Sequence, residues 1–198
     1  MADFREHRYT AQDGLSLYYR VYGDADARGI SVLCLPGLTR NSRDFDSVAR
    51  RLSADRRVFC PDYRGRGRSD YDPNPKHYIP ATYLNDLRHL LVATGTAPVV
   101  VIGTSLGGLL AMAMGAAMPT ALAGAVLNDI GPDVGDEGLG KILDYISTDR
   151  THADWDSAAR DLRGMFPSLS LETDADWLDA AKGTWREGGD GLWHGRSR

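Results

Sequence analysis

The chain has 198 residues, 42% of them hydrophobic and 25% charged, with a formal net charge of −4. That is about one domain, enough to bury roughly 70% of the surface its unfolded form exposes, and its composition excludes a disordered chain. The acidic balance argues against a nucleic-acid partner, and no apolar run approaches the ~18 residues of a membrane span.

Met1–Tyr9 carries Asp3, Arg5, Glu6, His7 and Arg8 and lacks the apolar stretch of a signal peptide, so the expected location is cytoplasmic. His7–Gln12 and Leu15–Tyr22 read as strands around Asp13-Gly14, a hairpin signal. Ile30–Leu35 is a continuous apolar run ended by Pro36-Gly37; its Cys34, like Cys60, is expected as a free buried thiol. Phe45–Leu52 fits a short helix and Arg57–Cys60 a brief strand. Pro80–Thr94 is helical, with Pro80 in the first turn and Tyr83, Leu87, Leu90 and Leu91 on one face. Pro98–Ile102 and Leu122–Leu127 read as buried strands on either side of an apolar helix, Leu106–Ala117.

Composition shifts after Gly131-Pro132. Residues 133–198 hold 14 acids and 8 bases, against 13 and 15 before them, and all four tryptophans. This places a boundary between 1–132 and 133–198. The second part reads as helices at Leu139–Ser147, Asp154–Phe166 and Asp174–Glu187, with no strand after them. Continuous apolar strands separated by helices indicate an α/β fold: a mostly parallel sheet covered on both faces, with the N-terminal hairpin as an antiparallel edge and a helical second part.

The chemistry-bearing motif is Gly103-Thr104-Ser105-Leu106-Gly107, a G-x-S-x-G sequence. Alone it is weak. Here it closes an apolar strand and opens an apolar helix, the strand–turn–helix setting of a nucleophile elbow. The alternative is an ordinary glycine-rich turn. Neither a Walker A lysine nor the third glycine of a dinucleotide fingerprint accompanies it.

With this motif the sequence resembles the α/β-hydrolase superfamily of the serine type. Leu33-Cys34-Leu35-Pro36-Gly37-Leu38 is similar to the strand and loop carrying the first oxyanion-hole amide. Asp62-Tyr63-Arg64-Gly65-Arg66-Gly67-Arg68-Ser69 is similar to the D-x-R-G-x-G-x-S turn, and Leu127–Pro132 to the strand end before the cap. The resemblance covers roughly residues 7–187. It implies Ser105 as nucleophile and the backbone N–H groups of Leu38 and Leu106 as oxyanion hole. Many relatives carry His where Pro36 stands here, a change a backbone donor tolerates. Arg64, Arg66 and Arg68 suggest either an anion site or a turn held by pairing with Asp62 and carbonyls.

The resemblance also implies an acid and a histidine after the cap, in that order. This chain stops short of both, so a C-terminally truncated hydrolase, weak or inactive, is expected. Of the residues present, Asp129 is the candidate acid, with a buried turn-capping role as the alternative; His152 and His194 are the candidate bases. Arg43 (or Arg40) is a candidate for a substrate carboxylate, and Trp155, with Trp177 and Trp185, for an apolar substrate wall or plain packing. The implied reaction is hydrolysis of a small-molecule ester or lactone through an acyl-enzyme. Its alternatives are a non-catalytic binding protein, an oligomer completed by a partner chain, and C–C bond hydrolysis if missing segments are supplied. No cofactor or metal is expected, since the histidines are scattered. No membrane or nucleic-acid partner is expected. Self-association through the strand Leu122–Leu127, left as a sheet edge, is expected.

Overall fold

In the computed structural model the described residues are 4–131, 150–167 and 171–195. The expected helix Leu139–Ser147 lies outside them. Contacts divide the chain into two compact units, Met1–Asp133 and Val134–Arg198.

The first unit is a six-stranded sheet in the order β1-β2-β4-β3-β5-β6. β1 (Phe4–Thr10) and β2 (Ser16–Tyr22) form the hairpin around Asp13-Gly14, and β2 pairs antiparallel with β4 (Val58–Pro61). β3 (Val32–Leu35), β5 (Val99–Thr104) and β6 (Leu122–Asn128) are parallel neighbours, and β3 also pairs in parallel with β4. Chain connections run from β3 outward to β4 and then back across β3 to β5. The order therefore reverses at the β3/β5 boundary, where open α/β sheets form a crevice beyond the strands' carboxyl ends.

The apolar runs are continuous because both faces are covered. Leu33 and Leu35 point into one core with Val99 and Val101, beneath α2 (Pro80–Thr94) and α3 (Leu106–Ala117). Val32 and Cys34 alternate to the other face, with Val58 and Cys60, beneath Phe45 and α1 (Asp46–Leu52). Each fully buried leucine contributes about 1.5–3 kcal/mol. α2 starts at Pro80, buries Tyr83, Leu87, Leu90 and Leu91, and stops at Gly95, whose φ of 60° returns its N–H to the last carbonyls. Both cysteines are free and buried. β6 pairs only with β5 among the described strands, and Val126 and Leu127 are exposed.

The second unit corrects the all-helical expectation. α4 (Trp155–Met165) and α5 (Asp174–Thr184) are present, each opened by a reciprocal capping box, Asp154 with Ser157 and Thr173 with Asp176. α5 ends at Thr184, and Trp185–Glu187 is a strand, β8. The tail, expected to hold no strand, forms β9 (Trp193–Gly195). With β7 (Thr151–His152), which lies between two of the expected helices, they make a three-stranded antiparallel sheet in the order β7-β9-β8. The turn between β8 and β9 is closed by Gly188 N–H to the Leu192 carbonyl at 2.7 Å, with Gly191 at φ 75°. Asp190-Gly191 is the same hairpin signal as Asp13-Gly14. Trp177, Trp185, Ala158, Leu162 and Ala181 form this unit's buried core. Among the described residues no helix is long and apolar enough to cross a membrane.

Candidate active site

Ser105 stands between β5 and α3 with φ 52° and ψ −116°, one of two non-glycine residues at positive φ among the described residues. An L-residue adopts this conformation at a cost of order 1–3 kcal/mol, and it persists only where surroundings dictate it. Here three glycines allow it. A Cβ on Gly103 would lie 2.3 Å from the Gly107 carbonyl oxygen, one on Gly107 2.0 Å from the Leu35 carbonyl oxygen, and one on Gly108 2.1 Å from Ile130 Cγ2. The strand, the turn and the first turn of α3 are packed closer than any side chain permits. Ser105 N–H is taken by the Asn128 carbonyl at 3.2 Å. Leu106, next in the chain, begins α3, so its N–H belongs to the first turn, which lacks intrahelical acceptors.

The loop after β3 arrives beside this turn. A Cβ on Gly37 would be 3.7 Å from Ser105 Cβ and 3.9 Å from the Thr104 carbonyl oxygen. Leu38 follows Gly37 in this loop and Leu106 follows Ser105, so both residues adjoin groups that meet at the serine turn. Polarised N–H donors at a helix start and a neighbouring loop suit an oxygen that gains negative charge as a nucleophile adds to a carbonyl.

The turn Asp62–Ser69 is held by pairing, but Arg66 alone takes the expected carbonyls, while the side chains of Arg64 and Arg68 pair with carboxylates other than Asp62. Asp62 Oδ1 accepts from Ser42 N–H at 2.7 Å and its Oδ2 from Arg68 N–H at 2.8 Å. Burial pushes the Asp62 carboxyl up, against the pull of those amides. Arg64 is buried and donates through Nε and Nη2 to both oxygens of Asp86 (2.8 and 2.7 Å), and through Nη1 to Asp13 (2.8 Å) and Asp72. Burial works against its charge, but these carboxylates outweigh burial and hold the guanidinium above its ordinary value. Asp13, Asp72 and His77 bring three ligand atoms within 4.8 Å, a donor set hidden by their separation in sequence. Arg64 already supplies the positive charge there.

The remaining sequence candidates divide between the units. Asp129 follows β6 next to the serine turn, at φ 55°, but is exposed, which corrects the buried turn-capping alternative. Arg43 is exposed in the short turn Ser42–Phe45, capped by Asn41, while Arg40 pairs with Asp44 at 2.7 Å. In the sheet unit His7 stacks on Tyr19, His77 bonds Asp72 at 2.7 Å, and His89 lies within α2. His152 and His194 both belong to the second unit, on β7 and β9, where Thr151 pairs with His194 and His152 with Trp193. The His152 ring meets Trp185 edge-on at 4.9 Å, and its Nε2 lies 3.4 Å from Asp161. Burial depresses its pKa, against the pull of Asp161. Trp155 packs against Trp193 at 5.7 Å, so both contribute to that unit's own core. Arg66 Nε donates to the Leu38 carbonyl at 2.8 Å, as its carbonyl-pairing alternative expects, whereas the sequence reading missed Tyr63, which donates to the Pro36 carbonyl at 3.0 Å. Their signal was present in the D-x-R-G turn but carried no hint of a partner 27 or 28 residues earlier.

Comparison with known proteins agrees with this geometry. Residues 30–183 match a family model described as the alpha/beta hydrolase fold. A crystal structure of an alpha/beta hydrolase from Novosphingobium aromaticivorans is 45% identical, with a TM-score of 0.90, over 98% of this chain and 68% of that one. A 3-hydroxybutyrate-oligomer hydrolase from Cupriavidus necator is 32% identical over 176 residues, 88% of this chain and 60% of the relative. The mouse sn-1-specific diacylglycerol lipase ABHD11 is 32% identical over 111 residues, 55% of this chain and 35% of the lipase. The chain thus spans 60% or less of the length of these two curated relatives.

Proposed function

This chain belongs to the alpha/beta hydrolase fold family, and from that premise we propose that it acts on small esters or lactones through an acyl-enzyme on Ser105. The observation that carries the reading is the conformation of Ser105, at φ 52° between β5 and α3, with the Gly37 loop against it. Ser105 Oγ adds to the carbonyl carbon as its proton passes to solvent water, and the carbonyl oxygen takes the negative charge facing Leu38 and Leu106 N–H. Each such donor contributes roughly 2.7–4 kcal/mol at the transition state. Collapse expels the alcohol, which takes a proton from solvent, and leaves an acyl group on Ser105 that water hydrolyses to the carboxylic acid, restoring the hydroxyl. Ester chemistry also fits the names of the relatives: oligomers of a hydroxy acid and diacylglycerols are both esters.

A serine hydroxyl needs a proton acceptor. In the sheet unit His7 and His77 are engaged elsewhere, and His152 faces Asp161. With no base beside Ser105 among the described residues, both acylation and deacylation are expected to be slow, near the roughly 10³–10⁴-fold over water that donors and binding alone sustain. A slow second step makes the intermediate a better readout than turnover. Incubation with p-nitrophenyl butyrate, then peptide mass mapping, is expected to find the butyryl group on Ser105 and none in Ser105→Ala. Absence of label, or equal labelling elsewhere in both proteins, would overturn the reading and leave a binding protein on a hydrolase fold. A 3-hydroxybutyrate trimer offered in competition tests the substrate class.

A further inference from the structure

We propose that Tyr63 and Arg66 are positioning residues that aim the Leu38 N–H at the oxygen of a carbonyl under attack by Ser105. The proposal rests on the reading of Ser105 and Leu38 given above and adds how that donor is held.

The donor belongs to the peptide between Gly37 and Leu38. Of the two peptides flanking it, one carries the Pro36 carbonyl, which accepts from Tyr63 Oη at 3.0 Å. The other carries the Leu38 carbonyl, which accepts from Arg66 Nε at 2.8 Å. The middle peptide's own carbonyl, that of Gly37, accepts from Arg40 N–H at 3.1 Å. Three successive peptide planes are thus pinned on their oxygen sides, two by side chains from one turn. Because peptides are planar, fixing the flanking planes and the middle carbonyl fixes the direction of the Leu38 N–H. Without the clamps a loop containing Gly37 has freedom to rotate this peptide.

The clamps are themselves rigid. Tyr63 is buried beside Tyr83, and burial, with Tyr83 and Tyr9 close by, pushes its phenol well above its ordinary range, so it remains a donor. Arg66 Nη1 returns to the Gly65 carbonyl at 3.0 Å, which sets the guanidinium plane. The turn that carries both closes on Asp62, with Gly67 at φ 54° where a Cβ would sit 2.1 Å from Asp62 Oδ2. Ser69 Oγ donates to the Asp62 carbonyl at 2.6 Å and accepts from Tyr18 N–H at 2.8 Å. The geometry needed for an oxyanion donor is narrow, and a displacement of about 1 Å costs on the order of 10²-fold in rate. A loop with a glycine next to the donor needs such a mount.

The test compares the intact chain with Tyr63→Phe, Arg66→Met and Arg66→Lys. Two quantities are read: the concentration dependence of Ser105 acylation by p-nitrophenyl butyrate, and the affinity for butylboronic acid, whose tetrahedral adduct with a serine carries an anionic oxygen. Tyr63→Phe and Arg66→Met are expected to lower the limiting acylation rate roughly 10–100-fold with the half-saturating ester concentration within about twofold, and to weaken the boronate by a similar factor. Arg66→Lys, which keeps a donor, recovers part of both. A merely structural role would instead lower the melting midpoint and the labelled fraction with no split between rate and binding. If Arg66→Met fails to fold, Tyr63→Phe, the loss of one oxygen, carries the test. Wild-type rates and boronate affinity in both variants, with Ser105 labelled normally, would overturn the proposal alone. An unlabelled Ser105 in the unaltered chain would overturn the reading of the site and the proposal with it.

Discussion

The two units solve the problem of a buried interior in different ways. The sheet unit buries Asn41, Ser42, Asp62, Arg64, Ser69 and Asp86 and gives each a partner. The second unit relies on bulk, with Trp177 and Trp185 buried and Trp155 and Trp193 packed against them. Among the described residues, five buried side-chain nitrogens have no hydrogen-bond partner. Four belong to the second unit (Arg150 Nε, His152 Nε2, Trp177 Nε1 and Trp193 Nε1) and one, Arg57 Nε, to the sheet unit. A satisfied polar network specifies one arrangement, whereas aromatic packing tolerates several, and each donor left unpaired costs about 1–3 kcal/mol. Among the described residues, the unit that carries the Ser105 turn and the Gly37 loop is the one whose buried polar groups are nearly all satisfied.

The largest break in that pattern is expected at Asp86. Its carboxylate accepts two bonds from a guanidinium that is buried and cannot lose its charge. Asp86→Ala leaves that charge short of a partner, and removing one member of a buried pair costs about 3–5 kcal/mol. Urea unfolding followed by far-UV circular dichroism is expected to show the loss. A midpoint within error of the unaltered chain would show that Asp13 and Asp72 suffice to hold Arg64.

A second contrast uses one chemical change in both units. Gly107→Ala would place a methyl group 2.0 Å from the Leu35 carbonyl oxygen, in backbone that cannot give way. The expected cost is about 1–3 kcal/mol or more, as for overpacking in a close-packed interior. Gly164→Ala, within α4, meets nothing within 4 Å and is expected to stabilise by about 0.5–1 kcal/mol through helix propensity. Opposite signs in denaturation midpoints would confirm that glycine serves close approach at position 107 and not at position 164.

The same contrast governs what was legible in the sequence. β3, β5 and α3 announce themselves because local patterns dictate them: apolar runs long enough to identify, and glycines at spacings a tight strand–helix turn demands. Ser105 was legible for that reason. The partners of Arg64 were not, because Asp13 and Asp86 lie 51 and 22 residues away and nothing local marks a carboxylate as facing inward. Tyr63 and Arg66 carry the same difficulty, their acceptors being main-chain carbonyls of another loop. In the second unit, strands of two or three residues hold no period to detect. Trp185 completed the helical spacing of Trp177 and Ala181, so the end of α5 at Thr184 was masked by a pattern that packing, not helix, produced.

Acidification separates the units last and most gently. All four tryptophans lie in the second unit, so their fluorescence reports on it alone. His152 sits there with its pKa depressed, chiefly by burial and against the attraction of Asp161. The folded unit therefore resists a proton that the unfolded chain accepts near the ordinary imidazole value of about 6.5. Its contribution to stability is complete above that value and declines as pH falls toward the depressed folded value. In the sheet unit, the Arg64 hydrogen bond leads the forces holding Asp13 below the ordinary carboxylate range. That contribution persists until pH falls below the range itself. Between pH 7.5 and pH 5, the urea midpoint read by tryptophan fluorescence is expected to drop, and His152→Phe is expected to flatten the drop. An unaltered pH dependence in His152→Phe would place the sensitivity elsewhere. A midpoint that stayed constant in the parent chain would mean that the Asp161 charge offsets the burial of the ring in full, making the second unit as well satisfied at this position as the sheet unit is at Arg64.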